Sequence, residues 1–307
     1  MAPGPGRDCD VASSEELFAP LGTGVELCYQ TFGDPHDEPV LLVMGLGGPM
    51  TWWHPAFCRM LAARGCYVIR FDNRDTGRST KLTGRVRRTG LVRSFVGRPV
   101  RPPYTLDDMA LDGFGLLDHL GIEAAHVVGV SMGGMIAQAM AIARPERVRS
   151  LTSIMSTTGK RTVGWQHPRL LPMLLASRSA GREAYAATAL RMSELIGSPA
   201  FPEPRDEALA RAGETFDRGF SPSGVLRQMQ AILVEPDRGP RLRRLRMPAL
   251  VIHGLADRMV HVSGGRATAR AIPDAELLLI EGMGHDLPAD LYPTYVDAIE
   301  RTIHRAR

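Results

Sequence analysis

The sequence has few cysteines and no long apolar run, and each shortage excludes a class of protein. Its four cysteines among 307 residues, Cys9, Cys28, Cys58 and Cys66, show neither C-x-x-C spacing nor pairing with histidines. This usage is typical of free thiols in a reducing compartment, and it argues against a disulfide framework or a zinc site. No stretch approaches the roughly 18 apolar residues that a membrane-spanning helix needs.

The sequence also lacks the features of a secreted or nucleic-acid-binding protein. Residues 1–16 are rich in Gly, Pro, Ser and acidic residues, without a basic segment followed by an apolar one. We therefore expect a flexible N-terminus, no signal peptide, a cytoplasmic location and no membrane association. The net charge of +4 is small, and only Lys81 and Lys160 are lysines. The sequence shows no interleaving of basic and aromatic residues, so nucleic acid is not an expected partner. The oligomeric state stays open.

Short apolar runs alternate with helix-compatible segments along most of the chain. This alternation predicts an α/β fold with a mostly parallel, eight-stranded sheet and helices on both of its faces. The predicted strands are residues 17–19, 25–32, 39–44, 67–71, 126–130, 149–155, 248–252 and 276–280. Between residues 157 and 245 the strand pattern disappears, and prolines separate short helical pieces. We expect a helical cap there, inserted between the core segments 17–156 and 246–307.

Residues 81–103 interrupt the alternation with a strongly basic segment that contains no acidic residue. Its basic residues are Lys81, Arg85, Arg87, Arg88, Arg93, Arg98 and Arg101. The segment is predicted to be a long loop or a small irregular insertion. One interpretation is a solvated, mobile loop. The other is a flap over a cleft that prefers an acidic or phosphate-bearing substrate, or that docks an acidic partner.

The stretch Gly129-Val130-Ser131-Met132-Gly133 joins a predicted strand directly to a predicted helix. Its Gly-x-Ser-x-Gly pattern predicts a strained turn at Ser131 that exposes the hydroxyl, with glycines where a Cβ would clash. The first N–H groups of the helix would then face whatever the serine attacks. Taken alone, the pattern also fits a glycine-rich turn with an incidental serine.

Two further residues support a catalytic role for Ser131. Sites in parallel sheets lie beyond the carboxyl ends of the strands, and Asp257 and His285 each follow one of the last two predicted strands. A serine hydroxyl needs an imidazole to take its proton and a carboxylate to orient that imidazole. We therefore predict a Ser131–His285–Asp257 triad. Asp286 is not expected to hold the ring of its neighbour, and His253 is expected to shape the turn toward Asp257.

The glycine-rich segment 45–48 follows another predicted strand and completes the expected site. It predicts an oxyanion hole made by the backbone N–H groups of Leu46 and Met132. A phosphate cradle is the alternative, but the segment lacks the lysine and the spacing of a P-loop. Gly45, Gly47, Trp52 and Trp53 are candidates for substrate contact, although ordinary core packing fits the tryptophans equally well. No metal or cofactor is expected.

With these motifs in place, the sequence resembles the α/β-hydrolase family over nearly its whole length. The resemblance rests on residues 44–48, 71–79 and 129–134, and on the turns of Asp257 and His285. Within the family it is most similar to the serine esterase branch that includes aclacinomycin methylesterase. The resemblance implies a cofactor-free serine hydrolase that cleaves a small-molecule carboxylic ester through an acyl-enzyme. A C–C bond hydrolase, a thioesterase or lactonase, a peptidase, and a catalytically slow ligand receptor of the same fold remain alternatives.

Overall fold

The structure is a computed structural model that describes residues 11–170 and 181–306. Its central element is an eight-stranded sheet, and all eight predicted strands are present. The strands are β1 (Leu17–Pro20), β2 (Glu26–Phe32), β3 (Glu38–Val43), β4 (Cys66–Phe71), β5 (Ala125–Val130), β6 (Val148–Ile154), β7 (Ala249–Gly254) and β8 (Glu276–Ile280).

The sheet is mostly parallel, as the alternation predicts. The strand order is β1-β2-β4-β3-β5-β6-β7-β8, and β2 is antiparallel to both of its neighbours. The remaining neighbours are parallel, so β3, β4, β5, β6, β7 and β8 all end at one edge. The segments that follow these strands therefore meet above that edge.

Ten α-helices lie within the described residues. They are α1 (Pro55–Ala62), α2 (Arg88–Phe95), α3 (Leu106–His119), α4 (Met132–Ala143), α5 (Arg182–Ile196), α6 (Arg205–Asp217), α7 (Pro222–Val234), α8 (Gly239–Leu242), α9 (Ser263–Ala271) and α10 (Tyr292–His304). The N-terminus of α3 shows how local sequence sets a boundary. Thr105 and Asp108 cap it reciprocally, each side chain bonding the backbone N–H of the other residue.

Helices cover both faces of the sheet because its central strands are apolar on both sides. In β3, Leu41 and Val43 point to one face and Val40 and Leu42 to the other, and all four are fully buried. The first face packs against α3 and α4, and the second against α1 and α10. Burial of this kind is the main stabilising force of the core.

The three cysteines within the described residues, Cys28, Cys58 and Cys66, lie buried and form no disulfide with one another. Burial raises the pKa of both Cys28 and Cys58 to about 12, so these thiols stay protonated at neutral pH. The prediction of a free thiol at Cys9 concerns a residue outside the described part of the chain.

Two terminal or irregular segments carry defined contacts. Ser13 pairs with Phe32 and the Ser14 N–H donates to Thr31 O at 3.0 Å, while the flexibility expected of residues 1–16 stays a prediction. The basic segment 81–103, expected as a long loop or a small irregular insertion, contains α2. Arg161 caps the C-terminus of α2 by donating to the backbone oxygens of Ser94 and Phe95.

Between β6 and β7 the described residues form helices and no strand, as the prolines suggest. There α5 packs on α6, and α7 packs on α2. Leu242 and Leu245, near the end of this region, join the core cluster of α3 and α4. The division into a core at 17–156 and 246–307 and a cap at 157–245 stays a prediction. None of the described helices has the length and hydrophobicity to cross a bilayer.

Candidate active site

Ser131 occupies a strained position between β5 and α4. Its backbone dihedrals are φ 55° and ψ −118°, a conformation that residues other than glycine rarely adopt. Hydrogen bonds on both sides hold it there: its N–H donates to Ile154 O at 2.9 Å, and Ser156 Oγ donates to its carbonyl at 2.8 Å. Backbone strain of this kind is concentrated at functional sites.

The glycines beside Ser131 are required by close backbone contacts. A Cβ on Gly129 would lie 2.1 Å from Gly133 O, and a Cβ on Gly133 would lie 2.0 Å from Val43 O. Neither contact is possible, so the strand and the helix can approach this closely only with glycine at both positions. The predicted sharp turn is therefore present.

His285 lies between Ser131 and Asp257. Its Nε2 is 3.0 Å from Ser131 Oγ, and its Nδ1 is 2.7 Å from Asp257 Oδ2. Because a carboxylate only accepts hydrogen bonds, the proton sits on Nδ1 and leaves Nε2 free to accept the serine proton. The His285 side chain is 10% exposed and that of Asp257 is fully buried, so solvent and substrate reach only the histidine end.

The surroundings of Asp257 keep it ionised. Burial alone would raise the pKa of its carboxyl, but His285 and His253 beside it hold that pKa well below its usual range. Its other oxygen, Oδ1, accepts the N–H groups of Met259 and Val260, both at 2.8 Å. Asp257 is thereby fixed in orientation and charged at neutral pH, as an acceptor for His285 must be.

The predicted oxyanion segment lies directly beside the serine. A Cβ on Gly45 would come within 3.2 Å of Ser131 Cβ and 3.8 Å of its Oγ. The Gly48 N–H donates to Gly45 O at 3.3 Å, which closes a four-residue turn with Leu46 and Gly47 at its centre. Met132 is the first residue of α4, and such a residue has no intrahelical acceptor for its N–H. Both predicted donors thus belong to segments that adjoin Ser131.

The turn after β4 supports this segment, a role that sequence reasoning did not assign. Asn73 donates to Met44 O at 2.9 Å, and Asp72 accepts from the Met50 N–H at 2.7 Å. Asp72 also pairs with Arg218 at 2.8 Å. The sequence signals for segment 72–79 are its many polar residues and its place in the family resemblance. They predict a turn but do not identify the residues that the turn contacts.

The two tryptophans after the oxyanion segment are placed differently. Trp53 is fully buried and stacks on Phe57, which is the core packing expected as the alternative to substrate contact. Trp52 is half-buried, and its Nε1 donates to Thr215 Oγ1 of α6 at 2.9 Å. Of the pair, Trp52 alone retains surface between the sheet edge and the helices.

The other polar residues near the triad have supporting positions. His253 lies 2.8 Å from Val260 O, within the turn that carries Asp257, as expected. Asp286 does not hold its neighbour's ring, since it bonds the hydroxyl and the backbone N–H of Ser198 instead. Within the described residues, no group of three or more His, Cys, Asp or Glu side chains could hold a metal ion.

Comparisons with known proteins show the family and the fold of the chain. The alpha/beta hydrolase fold family matches residues 38–290. Rhodomycin D methylesterase DauP of Streptomyces sp. (strain C5) is 31% identical over 303 residues, covering 90% of this chain and 94% of that relative. The 3-oxoadipate enol-lactonase 2 of Acinetobacter baylyi is 28% identical, covering 84% and 85%. The crystal structure of an enol-lactonase from Burkholderia xenovorans LB400 superposes with a TM-score of 0.73 at 23% identity, covering 94% of this chain and 100% of that one.

Proposed function

Because the chain belongs to the alpha/beta hydrolase fold family, we propose that it is a serine esterase with Ser131, His285 and Asp257 as its triad. The family and the named relatives support ester hydrolysis as the class of reaction. One observation carries the assignment of residues: the continuous hydrogen-bond chain from Asp257 through His285 to the strained Ser131.

The reaction follows from this geometry in two halves. Ser131 Oγ attacks the ester carbonyl while its proton moves to His285 Nε2, and Asp257 stabilises the imidazolium that forms. The N–H groups of Leu46 and Met132 donate hydrogen bonds to the carbonyl oxygen and stabilise the negative charge that develops on it. The bond to the alcohol then breaks, and His285 returns the proton to the departing oxygen. Water attacks the acyl-enzyme by the same route, and the carboxylic acid leaves.

The proposed substrate is a small-molecule methyl ester, or another ester of an apolar metabolite. The methylesterase relative supports the first, and the apolar surface of Leu46 and Trp52 beside the site supports the second. Gly45 and Gly47 keep the oxyanion segment free of side chains, so substrate can approach its backbone. In this proposal the helices between β6 and β7 act as a cap over the site, and the protein works in the cytoplasm.

A lactone is the second candidate substrate. A lactone is a cyclic ester, so the same triad opens it without any new chemical step, and the enol-lactonase relative favours it. A panel of methyl esters and lactones of matched size separates the two candidates by their relative kcat/KM.

The triad is tested with a fluorophosphonate probe and short p-nitrophenyl esters. The native protein is expected to be labelled at Ser131 and to cleave the esters, while Ser131→Ala does neither. Ser150→Ala is the matched control, because Ser150 lies on β6 against His126 and away from the site. Labelling without turnover of any ester, thioester or lactone would instead favour a slow ligand receptor of the same fold.

A further inference from the structure

Gln228 of α7 contacts the oxyanion segment from the helices that lie over the sheet. Its side chain is fully buried, and its Oε1 accepts the Gly47 N–H at 2.8 Å. Its Nε2 donates to Arg74 O at 2.8 Å and to Thr76 Oγ1 at 2.9 Å. We infer that Gln228 is a positioning residue that holds the oxyanion turn, residues 45–48, in its active geometry. This inference rests on the proposed function of that turn.

The orientation of the Gln228 amide follows from its partners. The Gly47 N–H can only donate, so the atom facing it must be the amide oxygen. The Arg74 carbonyl can only accept, so the atom facing it must be the amide nitrogen. Both amide hydrogens and one oxygen lone pair are thus used in a single arrangement. The side chain connects α7, the turn after β4 and the oxyanion turn through one rigid planar group.

The oxyanion turn needs such a support because its own residues do not fix it. Gly47 has φ +66°, at the third position of the turn closed by the Gly48 N–H and Gly45 O. Glycine reaches positive and negative φ with similar ease, so it permits this conformation without selecting it. The hydrogen bond to Gln228 holds the Leu46–Gly47 peptide, next to the Leu46 N–H that is the proposed donor.

A second contact from the same helix closes the site around Gly47. A Cβ at Gly47 would lie 2.9 Å from Val225 Cγ2, so the helix packs directly on the turn. The position of α7 and the direction of the Leu46 N–H are therefore linked. A change in the position of α7 would reach the transition state through Gln228, without α7 itself touching the reacting atoms.

The expected consequence of losing Gln228 is a defect in kcat. Complete loss of an oxyanion donor costs about 100- to 1,000-fold, so a misdirected donor should cost roughly 10- to 100-fold. KM should change by less than about two-fold, since these donors act mainly on the charge that develops in the transition state. If Gln228 only held α7 in place, its loss would not be expected to lower kcat while leaving KM unchanged.

Gln230 offers a matched control on the same helix. It is 3% exposed, and its amide nitrogen lies against Gly90 of α2, away from the oxyanion turn. Gln230→Met and Gln228→Met thus make the same chemical change at two buried positions of α7. If Gln228→Met does not fold, Gln228→Asn replaces it, because a side chain one methylene shorter keeps the amide but loses its reach to Gly47.

The experiment measures hydrogen–deuterium exchange over residues 44–50, together with kcat and KM. Faster exchange and a lower kcat in the Gln228 variant, with both values native in Gln230→Met, are the expected results. Equal exchange in the two variants would overturn the inference even if the protein hydrolyses no ester. Faster exchange with an unchanged kcat would also overturn it. A native protein without esterase activity, in contrast, would reject the proposed function, while the exchange data still show whether Gln228 holds the turn.

Discussion

The sheet edge next to Ser131, His285 and Asp257 and the helices above it differ in how much polar contact holds them. Every residue of β5 and β7 is buried, and apolar packing on both faces fixes the strand ends that present Ser131 and Asp257. In α5, all of whose residues are described, Leu190 is the only buried one. Besides apolar contacts such as those of Leu242 and Leu245, these helices contact the rest of the molecule through buried polar side chains.

The attachment uses two arginines and a glutamine from α7 and from the turn that precedes it. Arg218 pairs with Asp72, Arg227 pairs with Asp75 at 2.7 Å, and Gln228 bonds the oxyanion turn. Apolar packing is non-directional, whereas these contacts demand defined angles and distances. The sheet edge is thus held by apolar packing, whereas directional hydrogen bonds and ion pairs set the position of the helices against it.

The largest expected effect comes from the sheet edge. Asp257→Asn should lower kcat about 10,000-fold, because an amide at this position favours the wrong tautomer of His285. Thermal unfolding should shift little, since Oδ1 can still accept from Met259 and Val260. Asp286→Asn makes the same change one residue from His285 and should lower kcat less than about ten-fold. Similar losses in both variants would contradict the assigned triad.

A smaller but substantial effect is expected where the helices are attached. Arg227→Met should lower the free energy of unfolding by about 3–5 kcal/mol, because it leaves Asp75 buried without its cation. The side chains of this pair are 3% and 0% exposed. Arg205→Met removes one partner of a pair that is 71% and 57% exposed, and it should cost less than about 1 kcal/mol. Chemical denaturation of the three proteins distinguishes the two cases.

The ion pair of Arg227 and Asp75 should also make the free energy of unfolding depend on pH. Burial raises the pKa of the Asp75 carboxyl, but hydrogen bonds from Arg227 and Tyr104 outweigh this and lower it below its ordinary value of 3.8. Its stabilising contribution is therefore complete above about pH 4 and is lost as the pH falls through the lowered pKa. In Arg227→Met, burial without a cation raises that pKa. The stability deficit of the variant should therefore shrink as the pH falls, and a constant deficit would contradict this account.

The smallest expected effect concerns the exposed basic segment. Arg93, Arg98 and Arg101 are exposed, so replacing all three with Gln should leave thermal unfolding unchanged. If the segment attracts acidic substrates, kcat/KM for an anionic ester should fall roughly two- to five-fold in the variant and lose its salt dependence. A neutral ester of the same size is the control. No change with either ester would leave the segment as a solvated surface.

The sequence alone predicted the fold because its signals are local. Short apolar runs between helix-compatible segments predicted all eight strands. The Gly-x-Ser-x-Gly pattern predicted the turn at Ser131, where close backbone contacts leave no room for a Cβ on the flanking glycines. Placement of Asp257 and His285 after strands followed from the rule that parallel strands end at one edge. Their hydrogen bonds agree with that rule, although their catalytic roles stay a proposal.

Only the tertiary structure decided the contacts between residues that lie far apart in the chain. Gln228 and Gly47 are separated by 181 positions, and no period or motif relates them. The different positions of Trp52 and Trp53, adjacent in the sequence, were likewise set by what packs against each. Short-range patterns fix strands, helices and turns because steric and hydrogen-bonding preferences act between neighbours. The support of the oxyanion turn depends on how α7 packs against the sheet, and packing is decided by the whole chain at once.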